Sequence, residues 1–133
     1  MRSAKEKEMN AFIVELPNRP GSLAMVAEAV AEKAINITGV VGATSGELGT
    51  VSFTTDDESG TRNALGEKGW VYREVPLVHA SLEHRPGTLA AAARKLADAG
   101  INIELMFVSG MDGDKVEVAF GVDTPEAAQR ALG

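Results

Sequence analysis

The sequence contains no cysteine, so disulfide bonds, thiolate metal sites and a cysteine nucleophile are all excluded. It also has no excess of basic residues, because 13 lysines and arginines stand against 19 aspartates and glutamates, for a net charge of −6. We therefore expect neither nucleic acid nor a membrane as a partner. No long apolar run follows the charged leader at residues 1–9, which we expect to be flexible. Without a signal or an anchor, the expected location is the cytoplasm.

One short motif occurs twice and organises the rest of the chain. The sequence NRPGSL at 18–23 returns as HRPGTL at 84–89, and the two prolines are 86 − 20 = 66 residues apart. The sequence INI at 35–37 returns at 101–103 with the same offset, 102 − 36 = 66. A repeat of this period indicates two copies of one supersecondary unit.

Hydropathy patterning predicts the same elements in both copies. Apolar residues alternate at 11–16 as in a strand, and from Pro20 they recur at helical spacing, so we predict a helix whose first residue is that proline. The predicted strands are 11–16, 35–43, 50–54 and 70–75, then 77–82, 101–109 and 115–122, and the predicted helices are 20–34, 56–65, 86–99 and 125–132.

This order is β-α-β-β-α-β in the first copy, the split βαβ unit of ferredoxin-like folds. The second copy repeats it without a fourth strand. The predicted class is α+β with two such units, at 10–75 and 76–133, and no Gly/Ser-rich linker separates them. Units this small bury little surface, so we expect them to recruit a second chain as a homodimer.

Several positions have structural predictions of their own. Gly100 suits the left-handed cap of its helix, whereas Ala34 at the same place should lose about 1 kcal/mol. The acidic residues at 56–58 are expected to cap a helix, and residues 111–114 to form a hairpin turn and not a cation site. His79 is expected to pack at an interface and to have no catalytic or metal role.

The repeated Arg-Pro-Gly-x-Leu at the first helix and Asn-Ile at the second strand resemble the ACT domain. The similarity covers nearly all of residues 10–133, twice over, and is greatest to stand-alone tandem ACT proteins. The resemblance implies allosteric regulation through an amino acid bound between domains, with no cofactor. Leu16 and Leu82 stand where the serine-binding members of the family have a polar residue, so which amino acid binds stays open.

Carried over by position, the resemblance places the ligand at the motif loops and at the second-strand asparagines. The residues themselves fit such a ligand, because an asparagine amide offers both a donor and an acceptor and backbone N–H groups at a helix start attract a carboxylate. The candidate ligand-binding residues are Asn18, Arg19, Gly21, Ser22, Leu23 and Asn36 in the first copy, and His84, Arg85, Gly87, Thr88, Leu89 and Asn102 in the second.

Alternatives remain for these residues and for the whole chain. The two asparagines could merely ease a turn, and Arg-Pro-Gly could be only a helix start. The leading hypothesis is an amino-acid sensor acting on a regulated enzyme or regulator. Its alternative is a dimerisation or protein-docking module without a ligand. An enzyme is not expected, because no activated nucleophile or opposed pair of acidic groups can be identified.

Overall fold

The computed structural model describes residues 9–133. These residues form two compact units. The first unit is Ala11–Glu74, and the second is Val75–Gly133 together with Met9 and Asn10. The predicted flexible leader lies outside the described residues except for Met9, which begins the first strand. No helix in the described part of the chain is long and apolar enough to cross a lipid bilayer.

The ten elements follow one another in the predicted order. They are β1 (Met9–Pro17), α1 (Ser22–Glu32), β2 (Ile37–Ser45), β3 (Leu48–Thr55), α2 (Glu58–Lys68), β4 (Tyr72–Glu83), α3 (Thr88–Asp98), β5 (Ile103–Asp112), β6 (Lys115–Val122) and α4 (Pro125–Leu132). The predicted α+β class is confirmed, and within the given sequence the second copy ends with α4 and has no fourth strand.

The strands of each unit pair in the same way. In the first unit β3 lies between β2 and β1, and in the second β6 lies between β5 and β4, all antiparallel. β2 and β5 are therefore the equivalent edge strands. Each unit has its own apolar core, the first around Phe12, Phe53 and Leu65 and the second around Leu96 and Phe120.

β4 is a single strand where the sequence indicated two, at 70–75 and 77–82. Pro76 lies between the two predicted strands, and a proline has no N–H to donate to a ladder. The pairing of β4 with β6 begins one residue later, at Leu77 opposite Gly121. Pro76 thus precedes that ladder, so its missing donor does not interrupt the strand.

The start of α2 is fixed by the predicted acidic segment. Asp57 is the N-cap, and its Oδ1 accepts from the N–H of Gly60 at 2.9 Å. The buried hydroxyl of Thr61 lies 2.8 Å from that of Thr55 and donates to the Asp57 carbonyl at 2.7 Å. The capping prediction is confirmed, and these buried hydroxyl groups are paired, as buried polar groups need to be.

The helices α1 and α3 end in the same capping motif. In the first unit the N–H groups of Ala34 and Ile35 donate to the carbonyls of Ala31 and Val30, with Ile35 and Val30 both in the core. This is the Schellman arrangement, which requires a left-handed residue, and Ala34 indeed has φ 59°. The second unit has Gly100 there, with φ 76°.

Replacing Ala34 by glycine should therefore stabilise the protein by about 1 kcal/mol, because glycine adopts positive φ without the steric penalty of a Cβ atom. Gly100→Ala should destabilise it by a similar amount, and an added Cβ there meets no atom within 4 Å, so only backbone strain contributes. Urea unfolding measures both changes. Gly66→Ala, in the interior of α2, is the control and should stabilise the protein, because alanine is favoured over glycine inside a helix. If Gly100→Ala stabilised the protein as Gly66→Ala does, the left-handed cap would be contradicted.

Candidate functional site

The two motif loops are tight turns built from Pro-Gly. In the first, the N–H of Ser22 donates to the carbonyl of Arg19 at 3.3 Å, and Gly21 has φ 95° and ψ −15°. These angles are those of the third residue of a type II turn, which favours proline before it and glycine at this position. The second loop repeats the geometry, with Gly87 at φ 94° and ψ −16°.

This geometry corrects the predicted helix start. Pro20 was expected to be the first residue of a helix, but it lies in the turn, and α1 begins at Ser22. The reason is Gly21, whose left-handed conformation cannot belong to a right-handed helix. Leu23 was expected on the buried face of that helix, and its side chain is instead 58% exposed.

A hydroxyl group closes each loop onto the strand before it. Ser22 Oγ donates to the carbonyl of Pro17, the last residue of β1, at 2.7 Å. Thr88 Oγ1 donates in the same way to the carbonyl of Glu83, the last residue of β4, at 2.7 Å. The serine or threonine of the motif is therefore the residue that fixes where the helix leaves the strand.

Each loop is also tied to the hairpin of its own unit. The N–H of Asn18 donates to the Glu47 carbonyl at 2.9 Å, and the N–H of His84 donates to the Asp114 carbonyl at 2.8 Å. The Asn18 side chain adds a bond from Nδ2 to the carbonyl of Gly46, also at 2.9 Å. The amide oxygen and the second N–H of Nδ2 take no part in that bond.

The second-strand asparagines lie apart from these loops. Asn36 is exposed, and its backbone forms two bonds with Asp56: its N–H donates to Oδ1 at 3.0 Å, and its carbonyl accepts the Asp56 N–H at 3.1 Å. Eleven residues of α1 separate the motif loop from Asn36, a rise of roughly 16 Å. Asn102 follows α3 in the same manner and is also exposed. Neither unit brings its own loop and its own asparagine together.

A cleft of about 330 Å³ in the first unit does bring predicted residues together. It lies between the motif loop and the hairpin strands β2 and β3. Its lining comprises Leu16, Pro17, Asn18, Arg19, Ser22 and Leu23 from the loop side, and Gly42, Ala43, Thr44, Gly49, Thr50 and Val51 from the strands. We did not predict the strand residues from the sequence, although glycines inside a strand pattern often mark such an approach.

The second unit has a cleft of about 370 Å³ in a different place. It lies along β4, α3 and α4, and Thr88 is the one residue of the predicted set that lines it. The half-buried His79 lines it too, and the prediction that this residue packs at an interface stays a prediction. Among the described residues, no group of three or more histidines and carboxylates is placed to hold a metal ion.

The charges near the two loops differ. In the second unit Lys115 Nζ donates to Glu83 Oε2 at 2.8 Å, and this hydrogen bond lowers the pKa of Glu83 and raises that of Lys115. Arg85 lowers the pKa of Glu83 further through its charge. In the first unit Arg19 forms no ion pair with any described residue, and Leu48 stands in the position of Lys115. Among the described residues, the positive charge of the first loop therefore has no ion-pair partner.

A family model for the ACT domain matches residues 11–67, within the first unit. A comparison with curated proteins gives no match. The match contains the first motif loop, α1, the hairpin of β2 and β3, and nearly all of α2. The cleft of the first unit therefore lies entirely within the matched residues.

Several solved structures share the fold over 94% of this chain. One is a protein from Bacteroides thetaiotaomicron, with a TM-score of 0.79, 22% identity and 86% of that chain covered. The ligand-free regulatory subunit of aspartate kinase from Thermus thermophilus has a TM-score of 0.66, 20% identity and 90% coverage. A structure of aspartokinase alpha and beta subunits has a TM-score of 0.68, 25% identity and 89% coverage. The ACT resemblance is therefore confirmed for residues 11–67, and the solved structures confirm the fold over both units.

Removing the loop-closing hydroxyl should destabilise either unit. We expect Ser22→Ala and Thr88→Val each to lower the free energy of unfolding by about 0.5–1 kcal/mol, because a strand-end carbonyl loses its donor while remaining open to water. Denaturant titration measures the loss. Ser45→Ala, which removes an exposed hydroxyl without such a bond among the described residues, should have no effect. A loss as large for Ser45→Ala would show that the closing bonds contribute nothing specific.

Proposed function

We propose that the protein is a non-enzymatic regulator that binds a free amino acid at an interface between ACT domains, because residues 11–67 match the family model of the ACT domain and both units share the fold of a regulatory subunit of aspartate kinase. One observation carries the proposal: Asn18, Arg19, Ser22 and Leu23 line a single cleft beside the rigid motif loop. A cleft of this size suits a small metabolite.

The interface follows from the positions of the predicted residues. Asn18 and Asn36 lie at opposite ends of α1, so one unit cannot offer both to one small ligand. Two ACT domains related by a two-fold axis can, since the loop end of one then faces the asparagine end of the other. The Asn18 loop would then meet an asparagine supplied by another domain, Asn102 being the partner that the repeat predicts.

The proposed partner is an enzyme that the bound amino acid regulates. The similar Thermus thermophilus protein is a regulatory subunit of aspartate kinase, and another similar structure contains aspartokinase alpha and beta subunits. These likenesses support a subunit that acts on a separate catalytic chain.

A screen of the twenty amino acids by thermal shift tests the function. A ligand at one hundred times its dissociation constant should add about 2.7 kcal/mol to the stability of the folded state. Asn102→Ala should then weaken that ligand by about 1–3 kcal/mol in calorimetry, because a charged group loses its hydrogen bond. If no amino acid shifts the transition, the docking module becomes the better explanation.

We further propose that the chain forms a homodimer through its edge strands. Val40 on β2 and Val108 and Met111 on β5 are large apolar side chains that are more than half exposed. Edge strands carrying such side chains invite pairing with another chain. Sedimentation at tens of micromolar should give a dimer, and Val108→Lys with Met111→Lys should weaken it if β5 is the edge used. A monomer at that concentration would contradict the proposal.

A further inference from the structure

The two motif loops are equivalent in backbone but not in what faces them. Resting on the proposed function, we propose that the first-unit cleft holds a small α-amino acid with a neutral aliphatic side chain, its carboxylate at Arg19. The loop of the second unit binds no amino acid in this proposal, because larger side chains replace the glycines of the cleft there.

Strand pairing defines which residues correspond. In the first unit Gly42 pairs with Val51 and Thr44 with Gly49. In the second, Val108 pairs with Val118 and Met111 with Val116, with a register shift between Val108 and Gly110. Ser109 is therefore the inserted residue, and Gly42, Thr44 and Gly49 correspond to Val108, Met111 and Val116.

These three exchanges decide how much space is left beside the loop. Gly42 and Gly49 line the first cleft with backbone alone. Val108 and Met111, which are 55% and 60% exposed, have larger side chains at the positions where the first unit has Gly42 and Thr44. With valine and methionine in place of glycine and threonine, this part of the second edge strand is more apolar than its equivalent in the first unit.

The lining of the first cleft defines the class of ligand. Among the described residues that line it, Arg19 is the one with a charged side chain, Ser22 and Thr44 carry hydroxyl groups, and Leu16 and Leu23 are apolar. A carboxylate gains a charge-assisted partner in the guanidinium. No acidic side chain is among the lining residues, so a cationic side chain would find no counter-charge, and a second carboxylate would have no second arginine.

The ammonium group of the ligand has an acceptor in Asn18. Its Nδ2 is committed to the Gly46 carbonyl, which leaves Oδ1 as the accepting atom of the amide. The second unit has His84 at this position.

The test compares matched variants in calorimetry with L-valine and L-leucine as probes and 3-methylbutylamine as the probe without a carboxylate. Gly42→Val installs the second-unit residue, and its Cβ would meet Thr50 O and Val51 Cγ2 at 3.8 Å, an ordinary contact, so the fold should persist. We expect it to lower affinity for an amino-acid probe at least tenfold by filling the cleft. Gly110→Val, on the equivalent edge strand with nothing within 4 Å of its added Cβ, is the control and should bind as the parent does.

A second pair tests the charge. Arg19→Gln should weaken the amino-acid probe by about tenfold, the effect of one charge-assisted hydrogen bond, while Arg85→Gln leaves binding unchanged. The amine should not bind any variant. Unfolding midpoints of all four variants should stay near that of the parent, which separates loss of the site from loss of the fold.

The outcomes separate this inference from the function it rests on. If the parent binds an acidic or basic amino acid in the full screen but neither aliphatic probe, the proposed function stands and this inference is overturned. The inference is also overturned if Gly42→Val binds as the parent does or if Arg85→Gln loses binding. If no amino acid binds the parent, both are overturned.

Discussion

Both units depend on one hydrogen bond, in which the hydroxyl group of the first helix residue donates to the carbonyl of the last residue in the preceding strand. It joins Ser22 to Pro17 and Thr88 to Glu83, each at 2.7 Å. The Pro-Gly turn needs this closure, because a left-handed glycine reverses the chain without itself fixing the direction in which the helix departs. With the helix start held, the amphipathic face of α1 or α3 lies over its strands and the core can form.

The edge strands of the two copies differ beside the motif loop. β2 carries glycine or small residues beside its loop, whereas β5 carries Val108 and Met111 and an extra residue, Ser109. An edge strand pairs on one side only, so a bulge there disturbs one ladder instead of two. The inserted residue therefore lies at a position where the fold tolerates it.

Periodicity in the sequence was enough to predict the elements that bury one face. The strand at 115–122 and the helix at 125–132 match β6 and α4 residue for residue, and the strain at Ala34 follows from its alignment with Gly100. The helix start at Pro20 was wrong because proline suits both a helix start and a type II turn, and Gly21 decides between them. The cleft was missed because it depends on glycines that contribute no side chain to any pattern.

The hydrogen bonds that hold each loop, here called its frame, make it possible for one copy to bind a ligand while the other does not. The acceptors that hold the loops are backbone carbonyls, those of Pro17 and Glu47 in the first unit and of Glu83 and Asp114 in the second. A carbonyl is present whatever side chain a residue carries, so changes at Gly42, Thr44 or Gly49 leave the frame intact. The lining of a cleft is then free to vary without loss of the fold that positions it. A duplicated unit with this frame can keep one loop open to a small molecule and cover the other with apolar side chains suited to another protein surface.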